Sequence, residues 1–279
     1  MSIRIVTDSA CDLSQATVDS NGISVVPLSI RFGDEEFIDR VELSTAEFWS
    51  RCARESTLPE TAAPAPGQFE ATYRQLAADG ATGIVVVSLS GALSATLQSA
   101  ELAARSVADL VPVRVIDSRS VSLGLGTIVL AAARRAAEGG SIDEVAELAD
   151  DLAARTKVFG ALDTLDNLKK GGRIGNAKAF LATALSIKPI IAVVDGVVEE
   201  AGKQRTRSKA LRFLVDQVAA HGESVRDLAV LHADCTDVDE FVDMLRPSFA
   251  GDIVIGEIGP VIGTHAGRGT IGVAFSVAD

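Results

Sequence analysis

Through the first half of the chain, short runs rich in Ile and Val alternate with segments whose apolar residues recur at helical spacing. The runs "IRIVTDS", "ISVVPLSI", "TGIVVVSLS" and "VPVRVIDS" mostly run out into Asp or Ser. Between them, residues 67–79 and 94–108 show the period of helices with one apolar face. Strand, helix and strand in that rhythm predict βαβ units and a mostly parallel sheet with helices. Ligand sites in such sheets lie beyond the carboxyl ends of the strands, which here supply Asp8, Ser88, Ser90 and Asp117.

The pattern changes in the second half. "KPIIAVVDGVVEEAGKQR" reads as a hairpin turning at Asp195-Gly196, a dipeptide that accepts the positive φ a tight hairpin turn requires. "DLAVLHAD", "DIVIGEIG" and "TIGVAFSV" add strands, and helices are predicted near residues 208–221 and 237–245. This mixture predicts α+β structure with antiparallel pairing. The passage "DDLAARTKVFGAL" marks the junction. It divides the α/β chain into an N-terminal domain over residues 1–155 and a C-terminal α+β domain over residues 156–279.

Composition narrows the class. The 279 residues suffice for a large core, and 47% hydrophobic against 4% aromatic residues makes that core aliphatic. The longest apolar run, around residues 123–133, falls short of the ~18 residues of a membrane helix, so no membrane span is expected. "MSIRIVTDSACDLS" enters a strand-like run directly, without the apolar region of a signal peptide. Cys11, Cys52 and Cys235 are odd in number and lack metal-type spacing. Together these predict a reduced, soluble, cytoplasmic protein with no metal.

The net charge of −12 opposes nucleic-acid binding. Its distribution is uneven: between residues 169 and 212, ten Lys or Arg meet only Asp195, Glu199 and Glu200, a net +7. Such a cluster is either a solvated face or a local site for an anion or an acidic partner.

Several familiar sites are missing. There is no G-x-x-x-x-G-K-[ST], "GLGT" lacks the third glycine of a dinucleotide fingerprint, and G-x-S-x-G is absent. "HADC" at His232 has no companion ligands. Asp8 follows a first strand as an aspartyl nucleophile would, but no second Asp stands two residues on, and capping the next turn is its ordinary role. What remains are hydroxyls in small-residue loops: Thr61 in "LPETAAPAPGQF", and Ser88, Ser90, Ser94 and Thr96 in "SLSGALSATLQSA". Ser94 sits where a helix begins, near donors that favour an anion, yet helix capping alone accounts for such residues. His265 lies in a small-residue loop within "GEIGPVIGTHAGRGTIGVAF". A structural imidazole and a ligand donor are equally compatible with that setting.

Five spaced motifs carry a resemblance. "IVTDSACDL", "TAAPAPGQF", "SLSGALSATLQSA", "LDTLDNLKKGGRI" and "IGPVIGTHAGRGTIGVAF" stand in the order and spacing of the DegV family, which includes the fatty-acid-binding subunits of bacterial fatty acid kinase. The chain resembles that family nearly end to end. The resemblance implies a two-domain fold enclosing one acyl chain between the domains, with no cofactor. By position, Thr61 and Ser94 would donate to the carboxylate, with His265 a neighbouring donor. Arg173, with Arg205, would belong to the surface meeting a separate ATP-dependent fatty acid kinase, where the bound acid becomes an acyl phosphate for phospholipid metabolism. The chain itself would be a carrier with no catalytic residue. The alternative is a stand-alone hydrolase or phosphotransferase using Ser94 and His265. Ala62, Ala63, Gly91, Leu97 and Arg268 depart from the family's motifs and leave Thr61, Ser94 and His265 intact.

Overall fold

The computed structural model describes residues 2–55, 57–182 and 187–278, with the side chains of residues 179–182 outside that description. Four parallel strands form the first sheet in the order β2 (Ile23–Val26), β1 (Ile3–Asp8), β6 (Gly83–Ser88), β7 (Val113–Asp117). β6, "GIVVVS", is buried on both faces, as its unbroken apolar run requires of a central parallel strand. Asp8, Ser88 and Asp117 end their strands on the same edge of this sheet.

"ISVVPLSI" is not one strand. Pro27 interrupts it, and Ser29–Phe32 (β3) joins a small antiparallel sheet between Glu35–Ile38 (β4) and Glu60–Ala62 (β5). Thr61 therefore stands on an edge strand, opposite Ile30 of β3, rather than in an irregular loop. Between β4 and β5 runs the helix Thr45–Arg54 (α2), preceded in the chain by Gln15–Ser20 (α1).

The second large sheet has six strands in the order β10 (Val197–Gln204), β9 (Lys188–Val194), β8 (Thr156–Ala161), β13 (Ile271–Val277), β11 (Val225–His232), β12 (Val254–Glu257). Its pairings are antiparallel except β11 with β12. Asp195 and Gly196 turn the β9–β10 hairpin with φ of 48° and 80°, the left-handed pair that Asp-Gly accepts. The remaining helices are Pro66–Ala78 (α3), Thr96–Ser106 (α4), Leu123–Ala137 (α5), Ile142–Arg155 (α6), Asp166–Lys170 (α7), Arg207–Ala219 (α8), Val238–Leu245 (α9) and Pro260–Ala266 (α10).

α5 contains the longest apolar run, and every residue from Leu123 to Ala133 is buried. The helix lies against β1 and β6 of the parallel sheet and against β8, β11 and β13 of the other. A helix apolar all round requires such burial on every side. One continuous core consequently joins both sheets, with Ile5 and Val85 on one side and Val158, Leu231 and Ala274 on the other.

His265 is in the last turn of α10, not in a loop. Pro260 opens that helix, where a missing N–H costs nothing, and Gly267 ends it at φ 81°. α10 is tied down along its length. Gly259 N–H donates to Asp12 Oδ1 at 3.0 Å, Trp49 Nε1 to the carbonyl of Ile258 at 3.2 Å, and Asn167 Nδ2 to the carbonyl of Thr264 at 3.0 Å. Among the described residues no helix is long and apolar enough to cross a membrane.

Candidate functional site

Strand ends, the β9–β10 hairpin and α10 surround an apolar cavity. Leu28, Leu89, Leu93 and Val121 line it from the N-terminal half. Ile191, Val193 and Val198 face them from the β9–β10 hairpin, and Val261, Ile262 and Ala266 from α10. Leu168 and four side chains with polar ends, Thr61, Ser94, Arg173 and His265, complete the lining. Three of these, Thr61, Arg173 and His265, also line an outer cleft of about 980 Å³ with Lys170 and Asn167. They stand where an apolar chamber meets a polar opening.

Thr61 and His265, 204 positions apart, meet with Oγ1 3.0 Å from Nε2. His265 Nδ1 is buried and has no hydrogen-bond partner among the described residues. Burial first, and the charge of Arg173 second, push the imidazole down to about 4, so the ring is neutral at physiological pH. With its proton on Nε2 the ring donates to Thr61 Oγ1, and the threonine O–H is free to donate onward into the cavity. Gly171 permits this placement. A Cβ there would lie 2.3 Å from His265 Nδ1 and 3.1 Å from the carbonyl oxygen of Asn167.

Ser94 precedes α4 and accepts from the Thr96 N–H at 3.3 Å, with the two hydroxyl oxygens 2.9 Å apart. These bonds in the turn before α4, whose N-cap position is Ala95, occupy the serine, and it lines the cavity as well. The resemblance assigns Arg173 to a partner surface; in the structure the half-buried guanidinium borders the cavity and the cleft. It is aimed by donating to the carbonyls of Leu93 at 3.2 Å and Gly171 at 2.7 Å. Arg205 is exposed between β10 and α8 and lines neither space. Arg268, the unmatched cation of the histidine segment, is also exposed and donates from Nε to Asp234 Oδ2 at 2.7 Å.

Other sequence candidates have structural work. Asp8 is fully buried, accepting from Ala10 N–H, Ser88 Oγ and Leu89 N–H at 3.1, 2.9 and 2.8 Å. Burial pushes its carboxyl up to about 6. Ser90 Oγ donates to the carbonyl of Gly196 at 2.7 Å, fastening the hairpin that roofs the cavity. Among the described residues no group of three His, Cys, Asp or Glu is arranged to hold a metal.

Gly171, Asn167 and Lys170 complete the mouth and are not singled out by sequence reasoning. Their signal is adjacency to Arg173 in "DNLKKGGR". Asp12 is the other addition: buried, with Ser122 Oγ donating to Oδ2 at 2.6 Å and Gly259 N–H to Oδ1, it joins the starts of α5 and α10. Asp12 reads in the sequence as one more polar residue after a strand.

An aliphatic cavity and a polar cleft that share Thr61, Arg173 and His265 form the candidate site. The chain belongs to the DegV family, whose sequence profile, described as an uncharacterised protein family, matches residues 2–278. A DegV domain-containing protein of Streptomyces coelicolor is 39% identical over 98% of this chain and 98% of its own. Among solved structures, a fatty-acid-binding DegV family protein from Thermus thermophilus has a TM-score of 0.90. It is 33% identical, with 99% of this chain and 100% of that one covered. A DegV family protein from Eubacterium eligens loaded with heptadecanoic acid has a TM-score of 0.86 at 26% identity, with 99% of each chain covered.

Proposed function

We propose that this protein binds a long-chain fatty acid, its tail in the apolar cavity and its carboxylate held by Thr61 and Ser94 beside His265 and Arg173. The observation that carries this reading is that these four side chains line one aliphatic cavity, three of them also lining the polar cleft outside it. Relatives of the same fold that bind fatty acids support it. The neutral ring of His265 holds the threonine hydroxyl in place, and Arg173 supplies the charge that balances the carboxylate.

We further propose that the protein is a cytoplasmic carrier that presents its acid to a separate ATP-dependent kinase. The outer cleft, with Lys170 and Arg173 on its wall, gives the carboxylate a basic approach. There a carboxylate oxygen would attack the γ-phosphorus of ATP held by the kinase, leaving ADP and an acyl phosphate. Exposed Arg205 fits the partner-facing surface.

The stand-alone enzyme reading fits the geometry poorly. His265 Nε2 meets Thr61 rather than Ser94, Nδ1 lacks an orienting carboxylate, and a ring pushed down to about 4 is a weak base at neutral pH. Organic extraction of the purified protein followed by mass spectrometry tests the carrier. About one fatty acid per chain is expected. A protein that retains none, and takes up none when palmitate is added, overturns the proposal. Acyl-phosphate formation from the loaded protein, ATP and the source cell's kinase tests the partner separately.

A further inference from the structure

Ile191, Val193 and Ile262 of this cavity also line a second, smaller apolar pocket beneath β8 and β9. Gly160 of β8 lines this chamber. It sits in mid-strand and is not among the glycines with positive φ. A Cβ built on it meets Leu162 Cδ1 at 3.5 Å, Ile191 Cγ1 at 3.7 Å and Thr270 Cγ2 at 4.0 Å, all ordinary contact distances. Those three side chains line the same chamber, so a side chain at position 160 would project into it.

The cross-strand partner, Gly272, is a useful contrast. Its Cβ would fall 2.3 Å from the carbonyl oxygen of Phe159, so close packing demands glycine there. At position 160 neither backbone conformation nor neighbours demand it, and glycine inside a strand weakens the strand. What glycine supplies at 160 is room.

We infer that Gly160 sets the longest acyl chain the protein accepts, by keeping the second chamber open to the methyl end of the ligand. This rests on reading the cavity as a fatty-acid site. The polar mouth fixes the carboxylate, so chain length decides how far the tail reaches. Short acids end before the second chamber, and long ones must enter it. Each methylene kept out of the apolar space weakens binding about fourfold.

The test uses the delipidated full-length protein, with Gly160→Ala and Gly160→Val, titrated with saturated acids of twelve, fourteen, sixteen and eighteen carbons. Valine suits a strand, and alanine adds a single methyl at ordinary contact distance. For the twelve-carbon acid, affinity is expected to stay within about twofold of the unmutated protein in both variants. For the eighteen-carbon acid it should fall about fourfold in Gly160→Ala and about tenfold or more in Gly160→Val. Equal losses at every length, no loss at eighteen carbons, or failure of both variants to fold would each overturn the role of Gly160. Unmutated protein that binds none of the acids would instead overturn the fatty-acid reading on which this one stands.

Discussion

Thr61→Val tests the mouth of the cavity with the least disturbance to the fold. Valine matches threonine in shape and suits the edge strand on which Thr61 pairs with Ile30. The change removes one hydroxyl, and two consequences follow from its position. First, His265 Nε2 loses its 3.0 Å partner while Nδ1 already has none, leaving a buried neutral imidazole with no hydrogen bond. An unsatisfied buried polar group costs ~1–3 kcal/mol, which thermal or chemical denaturation of the empty protein reads directly. Second, the carboxylate loses a donor worth ~1.5–3 kcal/mol, or roughly 10- to 150-fold in affinity. Binding should be weakened, not abolished. About fifteen methylenes at ~0.8 kcal/mol each supply on the order of 12 kcal/mol gross. Calorimetric titration of delipidated protein with palmitate measures the second effect. A double-mutant cycle with His265→Leu should show non-additivity of ~0.5–3 kcal/mol, because the two side chains act as one unit. Affinity of Thr61→Val within about twofold of the unmutated protein would refute the assignment of this hydroxyl to the carboxylate.

Gly171→Ala should displace the His265 ring, since the new Cβ would fall 2.3 Å from Nδ1; palmitate affinity should drop about tenfold or more, and unchanged affinity would show that the ring's position does not matter. Arg173→Ala should raise the His265 pKa from about 4 toward its ordinary value, as followed by NMR titration of the ring, because Arg173 is one of the two causes of the depression. The same variant should weaken palmitate about tenfold and slow kinase-dependent acyl-phosphate formation; normal binding with slow turnover would confine Arg173 to the partner surface. Asp12→Asn should change how stability depends on pH. Burial first pushes Asp12 up to about 7, with Asp39 adding to the rise, while the hydrogen bonds from Ser122 and Gly259 and the charge of Arg40 oppose it. A raised carboxyl stabilises the fold fully below its unfolded value of 3.8, and that contribution is lost as the pH rises through 7. Asparagine keeps an acceptor for Gly259 N–H, so the variant should be more stable by ~1–3 kcal/mol at pH 8 and little changed at pH 4 by urea denaturation. A difference independent of pH would contradict this. His265 acts in the opposite sense: its depressed value gives stability that is full above 6.5 and lost as the pH falls through 4.

Elements with strong local signals were legible in the sequence. "GIVVVS" can only be a buried central strand, Asp195-Gly196 dictates a tight hairpin, and residues 67–79 repeat at helical spacing close to the observed α3. The small sheet was not legible. β5 has three residues between prolines at 59 and 64, too few for an alternation to register, and its place is set by pairing with β3. α10 has only seven residues, and Gly263 with the glycines flanking the helix masks it. Pro260 and the hydrogen bonds from Gly259, Trp49 and Asn167 hold it as a helix, none of them a matter of propensity. At the site, motif resemblance identifies Thr61, Ser94 and His265 by position, whereas their lining of one cavity depends on how sheets and helices from the whole chain pack. The inward aim of Arg173 follows from two carbonyls, Leu93 and Gly171, one of them 80 positions away, and no local pattern encodes it.

The most direct test of the central claim is carbon NMR of palmitate labelled at its carboxyl carbon, titrated into delipidated protein. The account predicts one bound resonance that saturates at one acid per chain. Arg173 and the hydroxyls should keep that carboxylate ionised at a lower pH than the free acid, and Thr61→Val should move the resonance. A carboxyl signal that titrates like the free acid, and that Thr61→Val and Ser94→Ala leave in place, would contradict it.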